Sequence, residues 1–157
     1  MEEFGSFFKK QQDKLFSYLM RLTGEYHLSM DIMQESFTRY LEKYANSTRN
    51  VSLLYTIARN SFLDHKRRTE RLVALDQDYE DHSVDQSHSF QIKQEYTRVL
   101  SAMKDLEDEE REILSLVLSG DLNYKEIASI TKTSEANVKV KVHRARIKLK
   151  KRLHAGE

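Results

Sequence analysis

The densest chemistry in this sequence is cationic. Between Lys132 and Arg152 there are nine Lys or Arg and one acid, Glu135, in a chain whose formal net charge is only +1. A cluster of that density suits phosphate, and it lies on a pattern that orients it. Val138, Val142, Ala145 and Leu149 recur by four, three and four, which is one face of a helix. The remaining positions stay free. Glu135, Asn137, Lys141 and Arg144 are placed to reach base edges or phosphates. Lys139, Arg146, Lys148 and Lys150 suit phosphate, which gives affinity without sequence information. A charge run alone could be no more than a solvated helix face; an apolar stripe in register with a turn argues for more.

The neighbouring residues build the device that presents this run. Asn123-Tyr-Lys-Glu126 has the form of a capping box opening a short helix, with Ile127, Ala128 and Ile130 facing inward. Thr131-Lys-Thr133 reads as a tight turn. Ser134 can cap the next helix, expected from Glu135 to about Leu153. Together these predict a helix-turn-helix whose second helix enters a major groove.

A second, smaller set of cations (Arg59, Lys66, Arg67 and Arg68) falls on a helix expected over Val51 to Arg68, with Leu54, Ile57, Ala58, Ser61 and Phe62 inward. Before it, a helix over about Phe4 to Thr23 aligns Phe8, Leu15, Leu19 and Leu22 and stops at Gly24. Another is expected after Ser29 as N-cap, with Asp31 in its first turn and Ile32, Met33, Phe37, Tyr40, Leu41 and Tyr44 apolar. Asn46 to Asn50 reads as a loop. From Thr69 to Ser89 periodicity weakens, and Asp76 to Asp85 holds five acids and no Lys or Arg. A flexible acidic linker is expected there. Beyond it, helices are expected over Phe90 to Leu106 and Asp108 to Leu118, the latter burying Ile113, Leu114 and Val117 and ended by Gly120. The predicted fold is all-α: two small helical domains, 1–68 and 90–157, joined by the linker 69–89.

Composition narrows the function classes. Proline is absent and there are four glycines, so long helices are favoured. With no cysteine there is no disulfide, thiol nucleophile or thiolate metal site. His27, His65, His82, His88, His143 and His154 lack ligand spacing, so no metal and no cofactor is expected. The acids at Glu107 to Glu110 and Asp76 to Asp85 lie in a helix start and a linker, which argues against an enzyme. The N-terminus has no signal-peptide pattern, and no apolar run approaches the ~20 residues of a membrane span. A cytoplasmic protein without membrane insertion is expected.

Particular motifs resemble a known family. Tyr124-Lys-Glu-Ile-Ala128, Val138-Lys139 and His143-Arg-Ala-Arg146 are similar to the helix-turn-helix of region four of extracytoplasmic-function (ECF) sigma factors within the sigma-70 family. Leu106 to Leu118 resembles the first half of that region. Asp31-Ile-Met-Gln34-Glu35-Ser-Phe37 resembles region two's polymerase-contacting helix. Leu54-Tyr-Thr-Ile57-Ala58-Arg59-Asn60, with Asp64 and Arg67-Arg68, resembles the helix after it.

The resemblance implies a sigma factor that directs promoter-specific transcription initiation. Asp31, Gln34 and Glu35 would dock on a coiled coil of core RNA polymerase. Arg59, Asn60, Asp64, Lys66, Arg67 and Arg68 would handle the melted minus-ten strand, with a flipped base read by the loop Ala45 to Asn50. Ser134, Glu135, Asn137, Lys139, Lys141, Arg144, Arg146 and Lys148 would meet minus-thirty-five DNA. An anti-sigma factor is the further partner implied. Three positions depart from the family pattern. Leu53 stands where a tryptophan is usual. Val140 replaces a polar residue and is expected to extend the core rather than touch a thymine methyl. Lys141 replaces an arginine, whose bidentate guanine recognition lysine does not match. A stand-alone helix-turn-helix regulator would explain residues 90–153 but not Asp31 to Arg68. A helical adaptor for proteins alone is the third reading.

Overall fold

The computed structural model describes residues 3–75 and 94–155, which form seven helices and, among the described residues, no strand. They are α1 (Phe4–Thr23), α2 (Tyr26–Tyr44), α3 (Val51–Leu75), α4 (Gln94–Lys104), α5 (Asp108–Ser119), α6 (Tyr124–Thr131) and α7 (Glu135–His154). Helix α1 packs against α2, α4 and α5, α2 against α3, and α3 against α6; α7 closes over α4, α5 and α6.

The stops follow local chemistry. Gly24 and Gly120 end α1 and α5 with φ of 69° and 86°, a left-handed backbone that costs a Cβ-bearing residue more than glycine. Lys132 takes the same conformation at φ 57° to end α6, and its position in a three-residue turn leaves little alternative. The expected capping box is present. Glu126 N–H donates to Asn123 Oδ1 at 2.8 Å and Asn123 N–H to Glu126 Oε1 at 3.0 Å. Ser134 Oγ accepts from Asn137 N–H at 3.0 Å, as its position predicts.

Several expectations are corrected. Helix α2 starts three residues before Ser29, so Ser29 is not its cap. Ser29 is buried inside the helix, with its hydroxyl 2.8 Å from that of Thr23. Asp31 therefore lies beyond the first turn. Helix α3 continues through Thr69–Leu75, the first part of the expected linker, because nothing in that stretch breaks a helix. The rest of the linker, from Asp76, lies outside the described residues, as does Phe90, where the next helix was expected to begin. Tyr55 and Leu116 are fully buried although the apolar spacing did not single them out, whereas Leu41 is exposed.

The main core does not stop at the boundary between the N-terminal and C-terminal helices. One cluster joins Leu15, Leu19, Ile32, Tyr40, Leu54 and Ala58 to Ile113, Leu116, Ile127, Val138 and Val142. A smaller one (Met103, Leu106, Leu114 and Ala145) fixes α4 and α7 to α5. No described helix is long and apolar enough to cross a membrane.

Candidate nucleic-acid interface

Helix α7 is held by its apolar stripe. Val138, Val142 and Ala145 are buried and Leu149 half-buried, so the intervening residues are set around the helix in fixed directions. Ser134, Glu135, Lys139, Arg144 and Arg146 face solvent. Val140 lies among them at 44% exposure, which corrects the expectation that it extends the core. It is two residues beyond Val138, about 200° round the helix, so the stripe cannot include both.

Three other α7 residues turn toward α5. Asn137 Nδ2 donates to Glu109 Oε1 at 2.6 Å and to Thr133 Oγ1 at 2.8 Å. Lys141 Nζ lies 3.7 Å from Glu109 and 4.0 Å from Glu107. Lys148 Nζ donates to Glu110 Oε1 at 2.7 Å. Glu110 is completely buried, and its position explains how it stays charged. Burial pushes its carboxyl pKa up, but the hydrogen bonds from Lys148 and from the Glu107 N–H outweigh this and leave it below the usual value.

Helix α3 is arranged differently. Asn60, Arg67 and Arg68 are exposed, and Asp64 pairs with Arg67 at 3.8 Å. Arg59, by contrast, is ion-paired with Glu112 of α5, and Lys66 Nζ donates to Asp108 Oδ2 at 3.1 Å. The acids of α5 thus engage both basic helices, a role that reading them as a helix start missed. The available signal was spacing: Asp108 and Glu112 are four apart, hence on one face, opposite a helix with cations at 59 and 66.

On α2, Asp31 and Gln34 are exposed three residues apart on a common face. Glu35 is half-buried, taking Arg39 at 2.5 Å and facing His65 at 3.3 Å. The loop before α3 is tied at its end, where the Asn50 N–H donates to the Tyr40 hydroxyl at 2.9 Å.

A helix-turn-helix presenting a solvated cationic helix, with a second basic helix, α3, in the N-terminal half, defines a helical DNA-binding protein. Comparison with known proteins narrows this. The profile of Sigma-70 region 2 matches residues 7–72, and that of Sigma-70 region 4 matches 96–149. The ECF RNA polymerase sigma factor SigM of Bacillus subtilis is 31% identical over 156 residues, covering 95% of this chain and 94% of SigM. The sigma factor YlaC of the same organism is 27% identical, covering 93% and 89%. The fold is shared with RpoE of Bartonella quintana, solved with the anti-sigma factor NepR (TM-score 0.76, 19% identity, 97% and 99% coverage). It is shared also with CnrH, solved with the cytosolic domain of CnrY (TM-score 0.69, 21% identity, 98% and 89% coverage). The chain belongs to the ECF sigma factors of the sigma-70 family.

Proposed function

We propose that this sigma factor recruits core RNA polymerase through α2 and reads a promoter with α7 and α3 in turn. The observation that carries the proposal is the split of exposed chemistry among three helices. Asp31 and Gln34 are solvent-facing on α2, Arg67, Arg68 and Asn60 on α3, and Lys139, Val140, Arg144 and Arg146 on α7. Each set lies in a segment that matches the corresponding sigma region.

On this reading α7 enters the major groove at the minus-thirty-five element. Arg144, Arg146 and Lys139 bind phosphate or base edges, and Val140 offers a methyl surface to thymine. Glu135 lies at the start of the same exposed face, and Ser134 fixes the angle of entry by capping the helix. Asn137, Lys141 and Lys148 approach DNA only if they exchange α5 carboxylates for phosphate. The α3 residues Arg59, Asn60, Asp64, Lys66, Arg67 and Arg68 track the minus-ten strand. Melting is a matter of differential binding: cations and pockets that hold unstacked bases offset the cost of opening the duplex. Polymerase performs the chemistry and the sigma chain catalyses nothing. Its place of action is the cytoplasm. An anti-sigma factor is the expected regulator, since one structure of the same fold is a complex with the anti-sigma factor NepR. The division into an N-terminal sigma region 2 and a C-terminal sigma region 4 belongs to this reading as well, with α3 carrying the first of them on to Leu75.

Genome-wide mapping of transcription starts after overproduction tests it. Induced starts sharing two upstream elements, reproduced by purified chain plus core polymerase, are the expected result. Tight binding to a duplex site without polymerase, and no selective initiation with it, would instead favour a stand-alone regulator.

A further inference from the structure

Two polar flanks run along α7, on opposite sides of its buried stripe. Asn137, Lys141 and Lys148, spaced by four and seven, form one. Lys139, Arg146 and Lys150, spaced by seven and four, form the other, about 200° round the helix. The second flank is exposed throughout. Every member of the first is engaged by an acid in the opening turn of α5.

The engaged flank is not easily given up to DNA. An amide nitrogen carries two hydrogens, and those of Asn137 go to Glu109 and Thr133. None remains for adenine, whose recognition by asparagine needs a donor and an acceptor together. The Lys141 side chain is only 16% exposed and faces both Glu107 and Glu109. A phosphate reaching it would approach two carboxylates. Lys148 and the Glu107 N–H are what offset the buried charge of Glu110, whose Oε2 finds no hydrogen-bond partner among the described residues. Withdrawing Lys148 toward phosphate would leave that charge buried without its cation.

We propose that Glu109 and Glu110 are positioning residues for α7: they hold Asn137, Lys141 and Lys148 on α5, so that this flank sets the angle of the helix and makes no DNA contact. The proposal rests on α7 being the helix that reads the minus-thirty-five element. Phosphate contact then falls to Lys139, Arg146 and Lys150. Base edges are met by the outward residues between the flanks, Val140 and Arg144. The exchange of carboxylate for phosphate that would bring the first flank to DNA does not occur, and the acidic turn of α5 stays clear of the groove.

The test measures binding of the full chain with core polymerase to a duplex promoter found by start-site mapping, in the cold, as salt is varied. Each phosphate contact removed lowers the slope of log affinity against log salt by about 0.9. K139A and R146A should each show that drop. K148A should weaken binding about tenfold with the slope unchanged, because the helix is displaced rather than stripped of a contact. E110Q/K148A removes the buried charge together with its cation and should recover most of the loss. A lower slope in K148A, or no recovery in the double variant, overturns the proposal. N137A gives a second measurement on minus-thirty-five elements substituted one base pair at a time. It should weaken binding by the same factor on all of them. Loss of preference at a single base pair also overturns the proposal. Those results beside normal promoter-selective initiation defeat this inference alone. Absence of selective initiation by the wild-type chain defeats the functional reading, and this inference with it.

Discussion

Helices α3 and α7 carry similar chemistry and expose it differently. Both bury an apolar stripe and both carry several cations. Helix α7 keeps Lys139, Arg144 and Arg146 in solvent, while α3 commits Arg59 and Lys66 to acids contributed by the other half of the chain. The difference originates in neither basic helix. It comes from α5, whose successive acids point two ways: Asp108 and Glu112 toward α3, and Glu107, Glu109 and Glu110 toward α7. Availability of a cation for DNA is therefore set by its neighbours' carboxylates as much as by its own helix.

The largest expected effect breaks the comparison at its base, the shared core. Leu54→Ala on the α3 side and Ile113→Ala on the α5 side each remove a fully buried side chain and should each cost about 2–5 kcal/mol. With the core continuous across the halves, both should lower a single thermal transition followed by circular dichroism. Two transitions, each moved by only one substitution, would mean that the halves unfold independently.

Next comes Arg144→Ala. Its side chain is exposed, so stability should hardly change while promoter binding by the holoenzyme weakens by about 1–3 kcal/mol. Arg59→Ala, in contrast, should lower stability, since it leaves the mostly buried Glu112 carboxylate without its cation, while promoter binding by the holoenzyme stays near normal. Val140→Ala is expected to have a smaller and more specific effect. It should cost about 1 kcal/mol on promoters with thymine at one minus-thirty-five position and nothing once that thymine is replaced by deoxyuridine, which lacks the methyl.

Titration gives the smallest effects. Burial pushes the Tyr55 hydroxyl up to about 12. The unfolded chain ionises first, so Tyr55 supports folding fully below pH 10.0 and loses that contribution as pH rises from there to about 12. Lys66 holds the Asp108 carboxyl below its usual 3.8. That pair supports the α3–α5 contact above pH 3.8 and fades as pH falls further. Stability measured against pH should therefore fall at both the alkaline and the acid end.

Much of this was legible in the residues. The helix-turn-helix could be placed because its caps are local: Asn123, Glu126 and Ser134 need only neighbours three residues away. The start of α2 was misplaced because Ser29 has the right type for a cap, but its hydroxyl serves Thr23 instead. The extension of α3 to Leu75 was hidden by weak periodicity, since a helix whose last turns face solvent needs no apolar stripe. Pairing of Arg59 with Glu112 spans 53 positions, and no local pattern encodes it. The same holds for Val140: sequence shows that it is apolar, and only the register set by Val138 and Val142 shows that it points outward.

Permanganate reactivity of thymines in a promoter found by start-site mapping tests the division of labour most directly. With core polymerase and the wild-type chain, thymines around the minus-ten element should become reactive. Arg144→Ala should reduce the fraction of promoters occupied, recoverable by adding more protein, and leave the pattern on occupied promoters unchanged. Arg59→Ala should leave occupancy near normal and suppress the reactivity. Opposite assignments, or equal losses of occupancy and reactivity from both substitutions, would contradict the account.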